Sequence, residues 1–197
     1  MNRYLLPSSP AGARIGLLGG SFDPAHDGHR HLSLQTLKRL KLDYVWWVIS
    51  PQNPLKSTGP QDMPHRISAA QTTARHPKIV VSDIEERPGT QFTCDTLAAL
   101  RHLYPRTRFM WLMGADNLAQ FHQWRNWKDI IETTPIAVFA RPGTRLAALN
   151  VPAARQYRTY KCDAAALAHR HAPAWSFVYM PLHPGSSSAI RARSEWP

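Results

Sequence analysis

A chain of 197 residues, 43% hydrophobic and 19% charged, has apolar mass for one sizeable core, which excludes a disordered polymer and is short for two full domains. Its formal net charge of +11 predicts attraction to polyanions, but the basic residues are scattered rather than gathered in a block. Two cysteines, Cys94 and Cys162, exclude a disulfide framework and are expected to be reduced, as in a cytoplasm, and no apolar run suits a signal peptide or a membrane span.

In chain order, Met1–Ala13, with Pro7 and Pro10, reads as a short disordered lead-in, and the remaining residues 14–197 as the folded domain. Apolar runs predict strands at Arg14–Leu18, Tyr44–Ile49, Ile79–Val81, Phe109–Met113, Ile136–Phe139 and Ser176–Tyr179. Helical patterns intervene at His29–Lys41, Pro64–Arg75, Cys94–Tyr104, Asp116–Phe121, Lys128–Glu132 and within Ala153–His171. The strands are continuous apolar runs rather than alternating ones, which suits burial on both faces. Right-handed crossovers then give an α/β class, one doubly wound parallel sheet in a single domain. In such sheets ligands gather at the carboxyl ends of strands, and the unusual chemistry of this chain falls in those connections.

The first connection holds Gly19, Gly20, Ser21, Phe22 and then His26-Asp27-Gly28-His29. Glycines after a strand let a phosphate approach the backbone, and the helix that follows presents its free N–H groups. His26 and His29 add imidazole donors for phosphate oxygens. A plain turn and a metal site that includes His31 are the competing readings, though no cysteine stands nearby.

After the second strand, Asn53 is either a favoured turn residue or a substrate contact, and Lys56 is either a solvated loop lysine or a phosphate ligand. Thr93 opens the third helix as an ordinary cap or as a binding end for a carboxylate. Gly114 precedes Asp116, which caps the next helix or accepts hydrogen bonds from ribose hydroxyls. Phe121, Trp124 and Trp127 are spaced as a packing stripe, with Trp124 also a stacking surface for a planar heteroaromatic ring. Finally Ser187 and Ser188, with Arg191 one turn on, form either a flexible link or a second anion-binding helix start.

Together, Gly19–His29, Asn53–Lys56, Phe92–Leu97, Gly114–Leu118, Phe121–Trp124, Arg141–Gly143 and Ser187–Arg191 resemble the nucleotidyltransferase superfamily with a Rossmann-like fold and an HxGH opening. Within it they are similar to the bacterial nicotinate mononucleotide adenylyltransferases. That resemblance implies transfer of AMP from ATP to nicotinate mononucleotide, releasing pyrophosphate, with Mg²⁺. It implies that His26 and His29 contact ATP phosphates, that Ser187, Ser188 and Arg191 hold the β/γ end, and that Asp116 lies on the ribose side. It further implies that Thr93 and Trp124 receive the pyridine ring and that Lys56 meets a phosphate. Rival readings are phosphopantetheine adenylyltransferase, a catalytically silent nucleotide sensor and a basic nucleic-acid-binding module, the last supported only by charge. Neither nucleic acid nor membrane is an expected partner, and no protein side chains are expected to hold a resident metal.

Overall fold

The computed structural model describes residues 7–51, 61–85, 92–139, 150–181 and 187–193. Its elements run β1 (Arg14–Gly20), α1 (Asp27–Arg39), β2 (Tyr44–Ile49), α2 (Met63–Ala74), β3 (Ile79–Ser82), α3 (Thr93–Leu103) and β4 (Arg108–Gly114). Then come α4 (Ala115–Gln120), α5 (Trp127–Thr133), β5 (Ile136–Phe139), α6 (Pro152–Gln156), α7 (Ala164–Leu167), β6 (Trp175–Val178) and α8 (Ser187–Ala192). A 3-10 turn at Phe121–Gln123 joins α4 to α5. All six strands are parallel, in the order β3-β2-β1-β4-β5-β6. This is the expected doubly wound sheet, and its strand order reverses between β1 and β4, where such sheets open a crevice.

Both faces are covered, as the continuous apolar strands require. On β2 the neighbours Trp46 and Trp47 point to opposite faces, and both are fully buried. Trp46 joins Leu97 and Leu100 of α3, Leu118 of α4 and Ile130 of α5. Trp47 joins Leu34 and Leu37 of α1, Ala70 of α2 and Leu167 of α7. Each such side chain contributes about 1.5–3 kcal/mol by leaving water, so this strand alone anchors both layers.

Most element boundaries lie within two residues of expectation. β1 runs on through Gly19 and Gly20, which pair with Val48 and Ile49 of β2. β6 is Trp175–Val178, one residue earlier than expected, which leaves Tyr179 exposed. From Pro7 onward the expected lead-in is tied down: Tyr104 Oη donates to Pro7 O at 2.9 Å, and Gly12 N donates to Arg106 O at 2.8 Å. No helix among the described residues is long and apolar enough to cross a membrane.

Candidate active site

The connection between β1 and α1 is built on Phe22. Its backbone adopts φ 46, in the left-handed region, while its ring is buried and stacks on Trp47 with centroids 5.1 Å apart. Phe22 therefore pins the loop from beneath and offers a ligand its backbone rather than its ring.

His26 then caps α1, two residues earlier than the helical pattern suggested. Gly28 N donates to His26 Nδ1 at 3.1 Å, and His26 N donates to His29 Nδ1 at 3.2 Å. This reciprocal arrangement is a capping box written with two imidazoles. It also assigns the tautomers: a neutral ring that accepts at Nδ1 carries its proton on Nε2, so each ring is a donor at its far edge. The two rings lie 3.9 Å apart, and His29 rests against Phe22.

α8 closes on this loop from the far end of the sequence. Ser187 Oγ donates to Pro24 O at 2.9 Å. Arg191 donates from Nη1 to the carbonyl of Asp23 and lies 3.8 Å from the Asp23 carboxylate, which is itself buried. His31, considered for metal binding, instead bonds through Nε2 to Pro181 O at 2.8 Å. The structure thus brings His26, His29, Ser187 and Arg191 together. The side chain of Ser188, and Asn53, Lys56 and Arg141–Gly143 entirely, lie outside what is described.

Arg66 of α2 was not anticipated. It is 1% exposed, and it donates to Gln61 O at 2.7 Å, Ser21 O at 2.7 Å, Ser50 O at 2.8 Å and Pro51 O at 3.3 Å. One guanidinium therefore staples the loop after β1 to the loop after β2. Burial pulls it below its ordinary pKa, and the carboxylates of Asp23 and Asp62 oppose that pull.

A cleft of about 180 Å³ opens at the carboxyl ends of β1 and β4. Gly19, Gly20, Ser21, Thr93 and Trp124 line it, as expected of a binding crevice, and so do Ser50, Glu85, Trp111, Asn117 and Arg125. Packing gives a further reason for glycine at position 19. A Cβ there would lie 2.4 Å from Trp111 Cη2, so the indole fills the space a side chain would need. Gly114 and Asp116 stand outside the lining; Gly114 is the N-cap residue of α4, and Asp116 is exposed in its first turn.

Trp124 is half buried, packed edge-on against Trp111 and Phe121 at 6.4 and 5.4 Å. It belongs to both the packing stripe and the cleft wall. The Arg125 guanidinium sits 4.8 Å over the Phe92 ring and 4.0 Å from Asp95. Trp111 Nε1 is a buried donor with no acceptor among the described residues.

Glu85 carries the site's strongest perturbation. It is 5% exposed and accepts a hydrogen bond from Thr96 Oγ1 at 3.0 Å. Burial pushes its carboxyl up to about 7, against the hydrogen bonds from Thr96 and Ser50. Among the described residues no group of three or more His, Cys, Asp or Glu is arranged to hold a metal ion.

Residues 17–193 match the model of the cytidylyltransferase-like family. A probable nicotinate-nucleotide adenylyltransferase of Cereibacter sphaeroides is 55% identical over 182 residues, 92% of this chain and 98% of that one. Proteins of the same description from Ruegeria pomeroyi and Roseobacter denitrificans are 52% and 49% identical, covering 98% of this chain and 92% and 99% of theirs. In fold, the chain is similar to Plasmodium falciparum nicotinic acid mononucleotide adenylyltransferase in two structures, complexed with APC and with NaAD. Both give a TM-score of 0.67, with 18% and 19% identity over 91% of this chain and 83% of the other.

Proposed function

We infer that this chain, which belongs to the cytidylyltransferase-like family, transfers the adenylyl group of ATP to nicotinate mononucleotide, forming nicotinate adenine dinucleotide and pyrophosphate in NAD biosynthesis. The observation that carries the residue roles is the meeting of two distant segments beside one cleft. His26 and His29 at the head of α1 and Ser187 and Arg191 of α8 share the loop at Asp23–Pro24.

The attacking group is the phosphate of the mononucleotide, already ionised at neutral pH, so the reaction requires no protein base. It requires two anions held in line and charge stabilised on the departing pyrophosphate. On this reading Nε2 of His26 and His29 donate to phosphate oxygens of ATP. Ser187, Ser188 and Arg191 take the β/γ end, and Arg191 exchanges its bond to Asp23 for the triphosphate. Gly20 and Ser21 supply the backbone beside the α-phosphate, with Asp116 toward the ribose. Thr93 and Trp124 receive the pyridine ring, and Asn53 and Lys56 belong to the acceptor side. Arg125, in the same cleft, is the cation suited to the nicotinate carboxylate.

Nucleotidyl transfer of this class uses a divalent metal, for which Mg²⁺ is our choice. With no protein cage among the described residues, the ion is best carried by the triphosphate itself, as suits Mg²⁺, which keeps its waters and takes few protein oxygens. When bound it neutralises charge on the leaving pyrophosphate. The free thiols Cys94 and Cys162 suit a reducing cytoplasm.

Pyrophosphate release from ATP, measured with nicotinate mononucleotide, nicotinamide mononucleotide and phosphopantetheine in parallel, tests the assignment. Turnover is expected to be fastest with the nicotinate acceptor. Turnover with phosphopantetheine alone, or with none of the three, overturns it.

A further inference from the structure

The reaction above occupies the carboxyl edge of the sheet and leaves a second charged cavity at the amino edge unexplained. Seven residues of β4 separate the two edges, about 20 Å of strand. This cavity measures about 350 Å³. Its lining includes Arg14, Arg101, Arg106, Arg108, Arg170 and His171, and no carboxylate among the described residues.

Two features make this more than a solvated basic surface. Arg14 and Arg108 are register partners on adjacent strands, an arrangement that sets like charges side by side and destabilises the sheet. Asp43 relieves Arg14, lying 3.5 Å from its Nε. Arg101, Arg106, Arg108 and Arg170 have no carboxylate within 4.0 Å among the described residues. In addition, Arg101 is held in place: its Nη1 donates to the hydroxyls of Thr133 and Thr134 at 2.9 and 3.3 Å. Concentrated guanidinium charge around a concave site is the chemistry that recognises phosphate oxygens.

We propose that the amino-edge cavity binds a small polyphosphate chain, held by Arg101, Arg106, Arg108 and Arg170, in a site separate from the catalytic cleft. The chain comes either as inorganic polyphosphate or as the tail of a nucleotide. A cavity of this size fits a compact anion better than a nucleic-acid backbone, which needs an extended track of charge.

The test is calorimetric titration of the full chain with inorganic tripolyphosphate, and separately with GTP. It compares wild type, the triple variant Arg106→Gln/Arg108→Gln/Arg170→Gln, and Arg191→Gln at the other edge. Two binding events are expected in wild type, one in the catalytic cleft and one at the amino edge; the amino-edge event should weaken at least tenfold in the triple variant and persist in Arg191→Gln. Pyrophosphate release by the triple variant should equal wild type. Binding by tripolyphosphate alone assigns the inorganic source, and tighter binding by GTP assigns the nucleotide. Arg170→Gln alone, an exposed position outside the strands, supplies a milder variant and should weaken binding at least twofold. Binding that survives when the triple variant is combined with Arg191→Gln, disappears with Arg191→Gln alone, or is displaced by single-stranded RNA with affinity rising with strand length overturns the proposal.

Discussion

Glu85 offers a measurement in which stability and substrate binding respond to the same proton. Its carboxyl is raised from 4.5 to about 7 by burial, so the folded chain holds this proton more tightly than the unfolded chain does. The stabilisation is complete below about pH 4.5 and is lost as pH rises through about 7. A displacement of that size corresponds to about 3 kcal/mol. Glu85→Gln keeps the shape and a hydrogen-bonding partner for Thr96, and removes the ionisation. Urea denaturation at pH 5 and pH 8.5 should show wild type losing about 2–3 kcal/mol more than the variant across that interval. The same carboxyl lines the cleft with Thr93 and Trp124, so its ionisation sets a negative charge beside the pyridine subsite proposed there. The KM for nicotinate mononucleotide should therefore climb above pH 7 in wild type and stay level in Glu85→Gln. Parallel stability profiles in the two proteins would refute the assigned ionisation, and parallel KM profiles its reach into the cleft.

Three further substitutions probe the geometry. His26→Asn keeps a favoured capping residue and deletes the Nε2 donor, so kcat should fall about 10²–10³-fold while the urea midpoint stays in place. A large loss of stability in that variant would mean that the imidazole is needed chiefly as a cap. Arg66→Met strips donors from carbonyls on two loops and should cost about 3–5 kcal/mol in urea denaturation. A loss under about 1 kcal/mol would show that the staple is idle. Arg125→Gln should lower the ratio of kcat/KM for nicotinate over nicotinamide mononucleotide about tenfold, the scale of one charge-assisted bond. An unchanged ratio assigns carboxylate recognition elsewhere.

All six strands were legible because each is an apolar run bounded by polar turns, and their alternation with helices leaves few topologies. The shortfall at the end of β1 has a physical origin. Gly19 and Gly20 read as a turn, yet Gly19 continues the ladder because Trp111, distant in sequence, needs its missing side chain. The HxGH imidazoles and the serine–arginine end stood out as candidate phosphate ligands from residue type and position after strands. Their mutual contact was not, since nothing local in residues 23–29 announces a partner some 160 positions downstream. Arg66 and Glu85 escaped notice for a different reason. A buried charge carries no periodic mark, and Arg66 in a helical pattern reads as solvent-facing. The spacing Arg66-Ala70-Ala74, one buried stripe of α2, was the available signal. Arg125 was visible next to Trp124, but only the fold turns it into the cleft.

The docking of α8 on the first loop also orders events in time. Ribosomal synthesis delivers the HxGH segment early and the helix bearing Ser187 and Arg191 late, so every other part of the sheet is made before the last contacts can form. On the proposed roles, a chain cut before residue 187 keeps the residues of all six described strands but loses the Ser187 and Arg191 contacts to the first loop, and should bind a triphosphate tail more weakly.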